Sequence, residues 1–144
     1  MIRKAGIENI EEIAKLADQM WTEATIQDLI EEFSDLIKKE DVQIFLKYDQ
    51  DRPVGFAQCG LRYDYVEGTE TSPVGYLEGI FIEEEYRRKG YAKELLSECE
   101  KWAKEKGCKE FASDCEIDND SSVGFHMALG FAEANRIICF TKAL

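Results

Sequence analysis

Between residues 76 and 96 the chain reads Y-L-E-G-I-F-I-E-E-E-Y-R-R-K-G-Y-A-K-E-L-L, and the period of its apolar residues changes inside that stretch. Residues 76–82 form a short apolar run interrupted by one acid, Glu78, and read as a strand. From Ala92 onward, Leu95, Leu96, Cys99, Trp102 and Ala103 recur at helical spacing, with Gly107 as a natural stop. The turn between them holds Arg87, Arg88, Lys89, Gly90, Tyr91 and Ala92, three consecutive cations in an otherwise acidic chain. Physically this is an anion cradle. The first amides of a helix have no intrahelical acceptor, and the helix dipole favours negative charge there. Gly90 and the small Ala92 let an anion such as a diphosphate approach the backbone closely. Taken alone, a glycine turn with basic residues also describes a solvated helix start.

Outward from this turn the patterning predicts a single mixed α/β domain. Residues 2–5 read as a first strand, and Ile10, Ile13, Ala14, Ala17, Met20 and Trp21 as the core face of a helix. Ile26, Leu29, Ile30, Phe33 and Ile37 mark a second helix. Residues 43–48 and 54–63 form a hairpin across D-Q-D-R-P, and 64–75 is a polar loop. Beyond the central helix, 110–115 reads as a strand, 119–129 as a helix ended by Gly130, and 136–142 as a last strand. The order is helices inserted early, then β-β-β-α-β-α-β.

Composition narrows the function classes. The 144 residues suit one compact domain, and 44% hydrophobic with 11% aromatic residues is enough to bury a core. A net charge of −12 argues against nucleic acid or an anionic membrane as partner and would draw in a polycation. No apolar run reaches membrane-span length, and the first twenty residues lack a signal-peptide core. Five scattered cysteines without a C-x-x-C pair suit reduced thiols and a cytoplasmic setting. The single histidine, His126, excludes a multi-histidine metal site, and no metal is expected.

The turn at Arg87–Ala92, a strand before it and an amphipathic helix after it, resembles motif A of the GNAT superfamily of N-acetyltransferases, R/Q-x-x-G-x-G/A. Asn119, His126 and Leu129-Gly130-Phe131 look like another segment of that superfamily, with histidine where tyrosine is usual. Trp21, Tyr63-Asp64-Tyr65-Val66, Ser72-Pro73-Val74, Leu77-Glu78-Gly79-Ile80-Phe81, Ala112-Ser113-Asp114 and Ala128-Leu129-Gly130-Phe131 resemble, in order along the chain, the aminoglycoside 6'-N-acetyltransferases. The resemblance implies one domain over 1–144, with a central mixed, mostly antiparallel sheet flanked by helices and two N-terminal helices after the first strand. It further implies acetyl transfer from acetyl-CoA to the 6'-amine of an aminoglycoside by direct attack in a ternary complex. The pantetheine would lie along Ile80, Phe81 and Ile82, whose side chains also read as plain core. The pyrophosphate would sit on the backbone of Arg88, Lys89, Gly90, Tyr91, Ala92 and Lys93, with Asn119 near the pantetheine arm.

On the acceptor side, a protonated amine cannot attack a thioester until a proton is removed. Glu78 and Asp114 are the candidate carboxylates, one as base and both as ligands for cationic groups; the residues do not say which is which. Glu78 also reads as an outward-facing acid. Trp21 is either a core aromatic or, with Tyr65, a wall of the sugar site. His126 is either a proton donor to departing thiolate or a structural histidine. Asn135 stands where some of the resembling enzymes carry an acid, and Ala24 lies near the position of a histidine in them. Other readings on the same fold are a different small-amine or protein N-acetyltransferase, or a non-catalytic acetyl-CoA-binding module. A homodimer is implied by the resemblance. The apolar run 137–140 could be an interface or exchanged strand, a core strand being the simpler account.

Overall fold

Strand β2 (Val42–Asp49) carries apolar side chains on both faces, and this organises the rest of the molecule in the computed structural model, which describes residues 1–144. Ile44 and Leu46 point to one side, where they pack with Phe56 against Ile13, Ala14 and Ala17 of α1 (Ile10–Asp18) and Leu29 and Phe33 of α2 (Ile26–Leu36). Phe45 points to the other, with Ala57, Cys59 and Leu77, against Leu95, Leu96, Cys99, Trp102 and Ala103 of α3 (Tyr91–Glu105). The result is a helix–sheet–helix sandwich with a core on each face. Lys47, next in alternation after Phe45, falls on the α3 side. It is buried there, with its ammonium 2.6 Å from Glu94 and 4.2 Å above the Tyr91 ring.

The five strands lie in chain order: β1 (Ile2–Lys4), β2, β3 (Arg52–Arg62), β4 (Val74–Ile82) and β5 (Phe111–Ser113). The first three pairings are antiparallel and β4 with β5 is parallel, so the sheet is mixed and mostly antiparallel, with both N-terminal helices after β1. The β2–β3 hairpin pairs Asp49 with Arg52 across a two-residue turn, tighter than the predicted D-Q-D-R-P connection.

Two features of β4 matter for function. Its register with β3 slips between Gln58↔Gly79 and Cys59↔Leu77, leaving Glu78 as an extra, bulged residue. The bulge resets the alternation: Leu77 faces α3, and so do Ile80 and Ile82 beyond it, while Phe81 faces α1 and α2. In addition, β4 pairs with β5 only at Gly75, Tyr76 and Leu77. Past that point the β4 backbone has no neighbour on the β5 side.

Three expectations are corrected. Helix α1 ends at Asp18, so Trp21 lies in the following turn, its amide still donating to Ala17 O at 2.7 Å. The strand expected over 110–115 is only Phe111–Ser113, which places Asp114 just beyond it. No strand forms over 136–142. Helix α4 (Asp120–Ala128) closes at Gly130, whose φ of 91° lets Phe131 N donate back to His126 O. Phe131 then packs on Phe111, and the chain turns toward the 64–75 loop rather than back to the sheet. Asn135 donates to Glu67 Oε1 (2.8 Å), and Ala134 sits against Gly68. Ile137, Ile138 and Phe140 are left 61–87% exposed, because no strand of their own chain lies beside them.

Candidate active site

The cradle is built from two left-handed residues. Arg88 (φ 64°) and Gly90 (φ 80°) flank Lys89 and turn the chain into α3. None of the amides of Arg88, Lys89, Gly90, Tyr91, Ala92 and Lys93 finds a backbone or side-chain acceptor in the protein. Six consecutive free N–H groups at the positive end of a 15-residue helix are the donor set a diphosphate needs. Arg87 plays a different part: its Nε donates to Ile82 O at 2.8 Å, and its guanidinium lies over Phe81, pinning the end of β4 to the cradle. Ile80, Phe81 and Ile82 thus have side chains against the two cores, and along them β4 has no β5 strand beside it.

Across β4 from the cradle lies a cluster of opposite character. Glu78, lifted out by the bulge, accepts three hydrogen bonds from Arg62, from Nε (3.1 Å) and Nη2 (2.9 Å) to Oε1 and from Nη2 (3.0 Å) to Oε2. The same guanidinium lies 3.4 Å from the centroid of the Tyr76 ring. The Tyr76 hydroxyl in turn donates to Asp114 Oδ2. Burial, the hydrogen bond to Asp114 and that carboxylate's charge together push the Tyr76 phenol well above its ordinary range, so it stays a donor. Glu78 and Asp114 are thus linked through two intermediaries, Arg62 and Tyr76. Arg62 and Tyr76 were not singled out in the sequence. Their signal was present at Tyr76, two residues before Glu78 on one strand, and at Arg62, ending the partner strand.

The remaining residues fall into three groups. Trp21 is half-buried, stacked at 6.3 Å on Phe33 and edge-on to Phe56, and it covers Gly79, where a Cβ would lie 2.9 Å from Trp21 Cζ2. It is a core aromatic whose rim borders the bulge. Tyr65 is 74% exposed in the loop that springs from Arg62 and returns at Val74. That loop is clipped to the sheet: Glu110 accepts from the amides of Glu70 (2.9 Å) and Thr71 (2.8 Å), and from the Thr71 hydroxyl. Asn135 joins it through Glu67 rather than through the Glu78 cluster.

Asn119 and His126 belong to α4. Asn119 caps the helix, its Oδ1 accepting from Ser122 N at 3.1 Å. His126 Nδ1 donates to Ser122 O (2.7 Å), and its Nε2 lies 2.8 Å from Ser113 Oγ, whose hydroxyl also reaches Leu77 O at 3.2 Å. Both ring nitrogens are thus occupied in a latch tying α4 to β5 and β4, where those strands part. A cavity of about 430 Å³ opens elsewhere, between Lys4, Ile37, Lys39, Val42, Trp102 and Lys106, and shares no residue with the cluster or the cradle.

Known proteins resemble the chain over most of its length. A profile of the Acetyltransferase (GNAT) family matches residues 9–131. The chain is 36% identical to an aminoglycoside N(6')-acetyltransferase type 1 of Acinetobacter haemolyticus, over 99% of this chain and 98% of that one. It is 38% identical to the Serratia marcescens protein of the same name, over 95% and 94%. Among solved structures, the aminoglycoside N-acetyltransferase AAC(6')-Iy in complex with CoA superposes with a TM-score of 0.96 at 33% identity, covering 100% of this chain and 95% of that one. The same enzyme in complex with a bisubstrate analogue, CoA-S-monomethyl-acetylneamine, gives 0.95 at 33% identity, covering 100% and 98%. With the strand–cradle–helix unit, the bulged β4 and a family match over most of its length, the chain belongs to the GNAT acetyltransferase family.

Proposed function

We propose that this protein is an aminoglycoside 6'-N-acetyltransferase, acting as one domain over residues 1–144. The observation that carries the reading is the placement of two sites of opposite charge on either side of β4: free amides at 88–93 for an anion, and the Glu78–Asp114 cluster for a cation. Acetyl-CoA supplies the acetyl group as a thioester. The amides of Arg88, Lys89, Gly90, Tyr91, Ala92 and Lys93 would bind its pyrophosphate, and the unpaired edge at Ile80, Phe81 and Ile82 its pantetheine, with Asn119 beside them. On the acceptor side, Glu78 and Asp114 bind ammonium groups of the sugar, and one of them takes the proton that must leave before the amine attacks directly. Trp21, Tyr65 and Asn135 border the sugar. The engagement of both His126 nitrogens favours an anchoring part for that ring over proton donation to thiolate.

Two further parts of the reading concern the cell and the assembly. All five cysteines are free, which suits a reducing, cytoplasmic setting. The exposed apolar run at 137–140 and the outer edge of β5 suit pairing with a second copy, giving a homodimer. Light scattering on the purified protein should give twice the chain mass, and Phe140→Asp with Ile138→Asp should return the monomer; a monomeric parent removes the dimer from the reading.

The activity is tested by following thiol release from acetyl-CoA with aminoglycosides that carry a 6'-amine and others that carry a 6'-hydroxyl. Turnover is expected only with the former. No turnover with any 6'-amino compound overturns the reading, and equal turnover with both overturns the regiochemistry.

A further inference from the structure

Arg62 stands out because a cation already occupies the place where a cationic acceptor is to be recognised. It is not a loose surface residue. It spends Nε and Nη2 on Glu78 in three hydrogen bonds of 2.9–3.1 Å, and its guanidinium plane is carried by the Tyr76 ring at 3.4 Å. Tyr76 is itself fixed, buried at 5% exposure and bound to Asp114 through its hydroxyl. A bulged carboxylate on an open strand would otherwise sample several rotamers. Bidentate guanidinium contacts are the arrangement that fixes the plane of a carboxylate, and an aromatic face below fixes the plane of the guanidinium.

From this we infer that Arg62 is a positioning residue for acetyl transfer: supported on Tyr76, it orients the Glu78 carboxylate and leaves part of Oε2 available to the acceptor amine. The inference rests on the proposed role of Glu78. Oε1 takes two of the three bonds and Oε2 only one, so the lone pair remaining on Oε2 is where an ammonium would be met. The Arg62 charge also offsets one of two neighbouring carboxylates, which lets both stand in one cluster without an acceptor present. The alternative, that Arg62 is a placeholder which the acceptor displaces, makes the opposite kinetic prediction.

The experiment measures kcat and both KM values for Arg62→Gln, Arg62→Lys and Glu78→Gln against the parent with a 6'-amino aminoglycoside, with melting temperatures as a folding control. For Arg62→Gln, kcat should fall about tenfold to a hundredfold, the cost of a misoriented catalytic group, with KM for acetyl-CoA unchanged. Arg62→Lys should recover little, since a single ammonium cannot fix a carboxylate plane. Added guanidinium ion should restore part of kcat in Arg62→Gln but none in Glu78→Gln, a readout that a merely structural role would not move. Unchanged kcat with a lower acceptor KM in Arg62→Gln would overturn the inference in favour of a displaced placeholder. If Glu78→Gln is slow and Arg62→Gln is not, the inference alone falls. If Glu78→Gln keeps the parent kcat, the role of Glu78 falls, and the inference with it.

Discussion

At the scale of single residues, the bulge at Glu78 settles what its carboxylate can do. On a regular β4 the side chain at 78 would alternate with Leu77 and point into one of the two cores, where an acid is almost never left without a partner. The extra residue turns it outward beside Arg62 and leaves a third of its side chain accessible (34%). Glu78→Gln keeps the shape and removes one of the two carboxylates proposed to take the proton; if Glu78 is the one, kcat should fall about a hundredfold or more, the usual worth of a positioned base, while acetyl-CoA affinity measured by calorimetry stays at the parent value. A collapse of that affinity would make Glu78 structural. Tyr76 offers a second check. Folding raises its phenol pKa, so the stabilisation it provides is complete below the unfolded value of about 10 and is lost as pH rises through the higher folded value. In an absorbance titration at alkaline pH, Tyr76 and Tyr48, which burial also raises, should ionise late among the six tyrosines. Tyr76→Phe should remove one late step, lower stability below about pH 10 and leave a shallower loss of stability at alkaline pH.

At the scale of elements, the periodic parts of the chain were legible and the irregular ones were not. Helical spacing from Ile10 and from Ala92, and the cradle between β4 and α3, were readable because each depends on residues a few positions apart. The slip between Gln58 and Cys59 was not, because a bulge is a property of two strands read together. The apolar run at 137–140 reads as a strand by the same local rules, yet a strand needs a neighbour and Asn135 is drawn to Glu67 instead. Arg62 escaped notice for a related reason: its meaning lies across the sheet in Glu78 and Tyr76. The cradle gives the element-scale prediction. Gly90 sits at φ 80° with open space where a Cβ would be, so Gly90→Ala meets no clash and is opposed only by backbone strain of about 1–2 kcal/mol. If that strain flattens the turn, acetyl-CoA affinity should drop about tenfold with acceptor KM unaffected. Glu110→Ala should do the reverse. It unclips the 64–75 loop from β5, raising acceptor KM and sparing acetyl-CoA.

At the scale of the whole molecule, a net charge of −12 acts on two substrates of opposite sign. A polycationic aminoglycoside approaches down the long-range field and, on the proposed reading, would then be met by the Glu78–Asp114 cluster, so field and proposed site act in the same direction. An anionic acetyl-CoA approaches against that field and, on the proposed reading, would be captured only within reach of Arg88, Lys89 and Lys93 and the free amides of the turn. Screening separates the two, because the field of dispersed surface acids is cut off beyond about 10 Å at 0.1 M salt while close contacts persist. Raising ionic strength from about 20 mM to about 300 mM, where the screening length shortens severalfold, should therefore lower kcat/KM for the aminoglycoside. The loss should be steeper for acceptors with more ammonium groups. For acetyl-CoA, kcat/KM should fall much less or rise, since salt weakens the repulsion along with the attraction of the cradle. Initial rates with each substrate varied in turn, at matched pH, give both slopes. Equal falls for the two substrates would mean that the acid excess has no part in recognition and that the carboxylate cluster alone selects the cation.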